Sequence, residues 1–228
     1  MTIRTTILAG FALLALSLGG CASLEQMFMA TKEAPVKTSG VQEVTLQYPP
    51  KPASAEAGES PEAAMAAPAL PATAPTITIV RFQDMRADKE VLGYMRNTFG
   101  MRTANVVAAT NVSAWVTDAL KWELEQAGYR VTVLGNSRAA QPAGAVATVS
   151  DEIVRLNADD YFFNEGEVIL RTKVAKNGKR VLDHQYTGNA GGRFKYEATG
   201  GDFAGTLSQA LHNGLQDMVA DIIEEAGK

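Results

Sequence analysis

The prolines of this chain are gathered in one stretch, and that stretch limits where a folded domain can lie. Residues 49–75 make up 27 positions, of which 17 are Pro or Ala, and seven of the chain's nine prolines are among them. Such a composition cannot bury enough apolar surface to offset the loss of chain entropy on folding. The sequence therefore predicts a disordered, partly extended tether over residues 21–75 and an α+β globular domain over residues 76–228.

One short segment within the tether region has a strand pattern. Residues 41–48 read VQEVTLQY, in which Val44, Leu46 and Tyr48 alternate with polar residues. This alternation is typical of a short β-strand. Two interpretations stay open: the segment is an edge strand that pairs with the sheet of the domain, or it is a simple exposed segment.

The N-terminus indicates a removable signal and a lipid anchor. Arg4 precedes an uncharged run of 12 residues, 7–18, which is too short for a membrane span of about 20 residues. A positive start, a short apolar core and small residues at the cut are typical of a signal peptide, here residues 1–20. The run ends in LGGC, which resembles a lipobox and makes Cys21, the chain's only cysteine, the residue that receives the lipid.

Lipidation of Cys21 predicts where the protein resides. Diacylglycerol on the thiol and an acyl chain such as palmitate on the new N-terminus provide the two or more membrane signals that stable anchoring requires. Ala22, rather than Asp, follows the cysteine. In enteric bacteria that resembles the sorting signal for the outer membrane, so the expected location is its periplasmic face.

The charge of the chain excludes nucleic acid as a partner, and its single cysteine limits how the fold can be held together. The net charge of −4 becomes −5 once Arg4 is removed with the signal peptide. A mildly acidic chain lacks the clustered basic residues that bind nucleic acid. With Cys21 acylated, no thiol remains for a disulfide, so the domain must be held together by core packing alone.

Local patterns predict the elements of the domain. Apolar residues that recur at every second position predict strands, and apolar residues that recur with a period of 3.6 predict two amphipathic helices. Asn177-Gly178 is the strongest hairpin signal. In the segment 145–156, the alternation of residues expected to face inward shifts by one position near Asp151, which indicates a β-bulge. We expect a mostly antiparallel sheet with the two helices packed on one face, a two-layer sandwich. The segments are strands 76–82, 91–97, 103–110, 130–134, 145–156, 168–174 and 181–186, and helices 112–128 and 203–226.

Motifs for catalysis or metal binding are missing from the sequence. His184 and His212 have no metal-ligand spacing to a second His or to Cys, and we interpret both as surface or edge residues. No nucleophile elbow, phosphate-binding loop or zinc-protease motif occurs. The sequence predicts neither a metal nor a cofactor, and it predicts a protein that is not an enzyme.

Two clusters are candidates for contact with a partner. The polar segment after the first domain strand contains Asp84, Arg86, Arg96 and Asn97, and the planar fork of arginine suits polar recognition. The alternative, which we favour, is that Asp84 pairs with Arg86 or Arg96 to brace the hairpin.

The second cluster is the aromatic run that starts at Tyr161 and Phe162. Three consecutive rings cannot all face one core, so at least one is expected at the surface, where it would help a partner to dock. The alternative is core packing with one ring exposed at an edge.

The pattern resembles the YajG-type bacterial lipoproteins. The resemblance rests on the lipobox, TITIVRFQDMR, LGYMRNTFG, the helix ending in LEQAGYRV and the closing helix, and it covers about residues 44–226. It implies an envelope lipoprotein with a small α+β domain and no catalytic residues, similar in architecture to the auxiliary lipoproteins of ABC-type transporters.

These observations predict a lipid-anchored periplasmic module that binds a protein partner in an envelope assembly, transport or surface-appendage system. The alternative is a ligand-binding lipoprotein for a cell-wall glycan or lipid. A hydrolase is a third class, which would need a deep pocket with converging titratable groups. An oligomer is compatible with the sequence.

Overall fold

The computed structural model describes residues 40–49, 70–136, 144–194 and 198–228. Cys21 and the signal peptide lie outside these residues. None of the helices in the described ranges has the length and apolar character needed to span a membrane. The elements in chain order are β1 (Gly40–Val44), β2 (Thr76–Asp84), β3 (Val91–Arg96), β4 (Arg102–Ala108), α1 (Val112–Gln126), β5 (Arg130–Leu134), β6 (Ala145–Asp160), β7 (Phe163–Lys176), β8 (Lys179–Phe194) and α2 (Gly200–Gly227).

The eight strands of the described residues belong to one mixed sheet with β6 at its centre. One edge of β6 pairs with β7, and the other edge pairs first with β2 and further along with β3. The parallel pairs are β1–β4, β2–β5, β2–β6 and β3–β6, whereas β3–β4, β6–β7 and β7–β8 are antiparallel. The predicted α+β class with two helices is confirmed, but the prediction of a mostly antiparallel sheet is wrong. A tight-turn signal in the sequence identifies only strands that follow one another directly and pair antiparallel. The parallel pairs join strands that are far apart along the chain, so no local signal predicts them.

The long strands β6, β7 and β8 form a meander whose signals are local. Asn177 and Gly178 have φ of 51° and 74°, as a two-residue hairpin turn requires. The β6–β7 register shifts between Ile153 and Arg155, so Val154 is the bulged residue. The bulge predicted near Asp151 is therefore present, three residues further on.

The helices pack on the sheet and against each other, which places them on the same side of it. Helix α1 begins as predicted, because the Asn111 side chain accepts from the Ala114 amide at 2.9 Å. Helix α2 approaches β8 so closely that only glycine fits at position 188. A Cβ there would lie 1.9 Å from the Ala210 carbonyl oxygen and 2.5 Å from the Gly214 nitrogen.

The segment before the Pro/Ala-rich stretch is part of the folded domain. Strand β1 pairs in parallel with β4, and Val44 and Leu46 are 1% and 5% exposed. The Ser208 hydroxyl donates to the Gln47 carbonyl at 2.5 Å. The edge-strand interpretation is therefore correct, and the folded part includes residues 40–49 as well as the region that begins at Thr76.

Candidate functional site

The turn between β3 and β4 is held in one conformation by Asn97. Its side-chain oxygen accepts from the amides of Phe99 and Met101, both at 3.0 Å. Its backbone carbonyl accepts from the Gly100 amide at 2.9 Å. Gly100 has φ of +77°, which favours glycine. Asn97 thus orders a turn whose apolar side chains point away from the core.

Arg96 ties this turn to the one between β6 and β7. Its Nε and Nη2 donate to the two oxygens of Asp159, each at 2.8 Å, and its Nη1 donates to the Gly100 carbonyl at 3.2 Å. A Cβ on Gly100 would lie 3.3 Å from the Tyr161 ring. The two turns therefore form one surface, although they are about 60 residues apart in sequence.

The side chains on this surface are apolar and exposed. The exposed fraction of the residue is 82% for Phe99. It is between 40% and 59% for the four other apolar residues of the two turns, which are Met101, Tyr161, Phe162 and Phe163. The rings of Tyr161 and Phe162 pack against each other with centroids 4.3 Å apart. We call this surface the aromatic end, and it consists of Phe99, Met101, Tyr161, Phe162 and Phe163. A cluster of this kind on a soluble domain marks an interaction surface.

Asp84 and Arg86 lie elsewhere. Asp84 pairs with Ile153 of β6. Ile153 lies seven residues before Asp160, where β6 ends at the aromatic end, so Asp84 is about 23 Å along the strand from that surface. The Arg86 side chain is 4% exposed and donates to both Asp84 oxygens, at 2.9 and 2.8 Å. Burial acts to raise the pKa of the Asp84 carboxyl, but the hydrogen bonds and charge of Arg86 outweigh it and hold the pKa below its usual value.

The brace favoured from the sequence is therefore present as the pair of Asp84 with Arg86. Arg86 also donates to the carbonyls of Lys89 at 2.8 Å and Val91 at 3.3 Å, so it closes the loop between β2 and β3. Arg96 pairs with Asp159 instead of Asp84. Four of the six candidate contact residues come together at the aromatic end, and Asp84 and Arg86 do not.

An acidic depression of about 620 Å³ adjoins the aromatic end. It lies on the side of the sheet that the helices leave uncovered, since Glu165 and Glu167 alternate along β7 with residues that face α2. Arg155 pairs with Glu167 at 2.9 Å. The lining residues are Asn157, Asp159, Glu165, Gly166, Glu167, Asn189, Ala190 and Gly191. We call this site the acidic depression.

His212 has hydrogen-bond partners that the sequence did not suggest. Its Nδ1 lies 2.9 Å from Glu123 Oε1 and 3.1 Å from the Tyr48 hydroxyl, which also donates to Glu123. Burial and the Glu123 carboxylate raise the pKa of the Tyr48 hydroxyl above its ordinary value. The cluster fastens the segment after β1 to both helices. Within the described ranges, no group of three His, Cys, Asp or Glu residues could hold a metal ion.

Phe99 and Met101 were missed by the sequence analysis. Both are apolar residues in a turn between two strands, flanked by Arg96 and Arg102. Apolar side chains in a short turn cannot reach a core on either side, and that position is the signal that could have identified them.

No known family model matches the chain, and no curated protein is significantly similar to it. Solved structures do resemble it. Protein XCC0632 from Xanthomonas campestris, of the DUF330 family, has a TM-score of 0.51 at 13% identity, over 83% of this chain and 97% of that one. The chain shares the fold of XCC0632. The hypothetical protein CT253 from Chlamydia trachomatis (TM-score 0.43, 11% identity, 67% of this chain and 98% of that one) and lipoprotein GNA1162 from Neisseria meningitidis (0.36, 12%, 67% and 98%) are less similar.

Proposed function

We propose that this chain is a lipid-anchored, non-enzymatic module of the bacterial envelope that binds a protein partner through its aromatic end. In this proposal Cys21 carries the lipid, and the domain is tethered to the periplasmic face of the outer membrane. Membership of the YajG-type lipoproteins belongs to the same proposal. The observation that carries it is the cluster of exposed apolar side chains on two turns that hydrogen bonds hold together.

Hydrogen bonds order the backbone of the turn that presents Phe99 and Met101. Asn97 fixes the backbone that presents Phe99 and Met101, and Arg96 fixes that turn against Asp159. A preordered surface loses little conformational entropy on binding. Large aromatic side chains near the centre of an interface contribute most of its binding energy.

The contact residues of the proposal follow from this geometry. Tyr161 and Phe162 contact the partner together with Phe99 and Met101. Arg96 and Asn97 position them from the rim. Arg86 supports the loop before β3 from a buried position, where a partner does not reach it.

Site-specific photocrosslinking in growing cells tests the proposal. A benzophenone-bearing residue replaces Phe99 or, as the control, Val181. Val181 is 41% exposed and follows the β7–β8 turn at the opposite end of the sheet. We expect a discrete protein adduct from position 99 and none from position 181. Adducts of equal yield from both positions, or adducts only to lipid, would contradict the proposal.

The anchor is tested separately. Labelled palmitate is expected to enter the wild-type chain and not a Cys21→Ser variant. Equal incorporation of palmitate by the wild-type chain and the Cys21→Ser variant would show that the thiol is not the point of attachment.

A further inference from the structure

We infer that the partner presents a basic side chain beside an apolar one, and that the basic group enters the acidic depression while the apolar group packs on the aromatic end. This inference rests on the proposed function and names the chemistry of the partner at that same surface. It concerns a protein segment, and it treats a bilayer or a second copy of this chain as outcomes of the test.

The two surfaces are continuous. Phe163 and Glu165 lie two residues apart on β7 with side chains on the same side of the sheet, about 7 Å from each other along the strand. Glu165 pairs across the strands with Asp159, whose carboxylate also holds Arg96 next to the aromatic end. A single partner segment can therefore contact both surfaces.

The charges of the depression favour a cation. Asp159, Glu165 and Glu167 line it, and no basic side chain of the described residues does. Arg96 and Arg155 neutralise Asp159 and Glu167 from outside the depression. Glu165 is exposed, and no ion pair with another described residue engages its carboxylate. It is the carboxylate left to bind a charged partner group.

Two of the residues that line the depression, Gly166 and Gly191, carry no side chain that would fill it. Gly191 faces Glu165 across the strands and has φ of +136°. A Cβ at this position would lie 2.3 Å from the Asn164 carbonyl oxygen, so no other residue fits without moving β7. Asn157 and Asn189 add neutral amide groups to the wall. Carboxylates with amide neighbours form charge-assisted hydrogen bonds with guanidinium or ammonium groups.

A lipid surface fits this arrangement less well. Exposed aromatic side chains do enter the interfacial layer of a bilayer, but surface binding is strengthened by basic residues that meet anionic headgroups. Here the described residues that line the acidic depression include three carboxylates, two of them already paired. An anionic headgroup would be repelled by Glu165, whereas a lysine or arginine of a protein would be attracted.

The test measures the adduct yield from a benzophenone-bearing residue at position 101 in cells. Glu165→Gln is expected to lower the yield about two- to fivefold, as removal of one exposed charge pair does. Glu165→Lys is expected to lower it about tenfold or more, because it places like charges together. The matched control is Glu224→Lys, the same charge change on the exposed last turn of α2 at the other end of the sheet, and it is expected to leave the yield unchanged. Urea unfolding of each variant checks that the fold is retained.

The outcomes separate the two proposals. If the wild-type chain gives a protein adduct whose yield is the same in both Glu165 variants, the inference is overturned and the proposed function stands. If the wild-type chain gives only lipid adducts, or adducts with itself, the proposed function fails. Mass spectrometry of the adduct supports the inference when the crosslinked peptide contains Lys or Arg next to an apolar residue, and an acidic or uncharged peptide overturns it.

Discussion

Replacing Arg86 with alanine is expected to destabilise the domain far more than the same change at Arg96. The Arg86 side chain is 4% exposed and makes four hydrogen bonds within its loop, two of them to Asp84. The Arg96 side chain is 26% exposed, and its partner Asp159 is 34% exposed. Arg86 holds its carboxylate with two side-chain hydrogen bonds and Arg96 holds its carboxylate with three, so the pairing is similar and burial is what separates the two arginines.

The magnitudes follow from that difference. Removing one member of a buried pair costs about 3–5 kcal/mol, because the other charge is left without a partner. Asp84 is 16% exposed, which allows water to reach it and places Arg86→Ala at the lower limit, about 3 kcal/mol. An exposed pair contributes about 0.2–1 kcal/mol. The expected difference between the two variants is therefore about 2 kcal/mol.

Urea unfolding of the chain from residue 21, with Cys21→Ser, measures both free energies. A difference of about 2 kcal/mol corresponds to a midpoint shift of about 1 M when the slope is near 2 kcal/mol per M. The lowered pKa of Asp84 adds a pH test. Its contribution is complete above the unfolded-state pKa, about 3.9, and is lost as the pH falls towards the folded-state pKa. The difference in free energy of unfolding between wild type and Arg86→Ala should therefore become smaller below pH 4. Equal destabilisation by the two alanine variants would refute the buried brace.

Three further changes test other contacts of the domain. Burial raises the pKa of the 3%-exposed Asp151 carboxyl well above its usual range, so the folded state holds a proton that the unfolded state releases. Stability should fall as the pH rises above about 4, by up to about 1.4 kcal/mol per pH unit, and Asp151→Asn should remove this dependence in urea unfolding from pH 4 to 8. Gly188→Ala should lower the free energy of unfolding by about 1–3 kcal/mol or more, since its Cβ would overlap α2. The control is Gly205→Ala, which has open space around its Cβ and should leave the free energy of unfolding unchanged or raise it in the same assay. Tyr48→Phe should lower the free energy of unfolding by about 1.5–3 kcal/mol, because the hydrogen bond to Glu123 is lost. Hydrogen exchange should then show faster amide exchange in β1. Unchanged protection of β1 would contradict the role of Tyr48 in fastening this segment.

The elements of the fold could be predicted from sequence wherever the signal is local. Asn111 at a helix start and Asn177-Gly178 in a turn act through their nearest neighbours in the chain, and both predictions are confirmed. The parallel pairing of β3 with β6 could not be predicted. It joins Gly93 to Ala158, and it is possible only because glycine has no Cβ: a Cβ at Gly93 would lie 1.6 Å from the Ala158 carbonyl oxygen. A glycine required by a strand 65 residues away looks like any other glycine in a sequence.

The same distinction applies to the candidate site. Arg86 finds its carboxylate two residues away, and that brace was among the interpretations drawn from the sequence. Arg96 finds Asp159 across 63 residues, and only the sheet brings them together. The aromatic run at Tyr161 was visible as a surface candidate, but its union with Phe99 depends on two turns meeting at the same end of β6.

That end of the sheet is also where the chain joins the domain from its N-terminal side. Because β1 runs parallel to β4, Gly40 lies opposite Ala104, near the turn that presents Phe99 and Met101. Eighteen residues separate Cys21 from Gly40, and a chain of that length spans at most about 68 Å. If Cys21 carries a lipid, as we propose, Gly40 lies no farther from the bilayer than that length of chain allows. Tethering raises the effective concentration of a partner in the same membrane, so a small contact surface suffices to hold it.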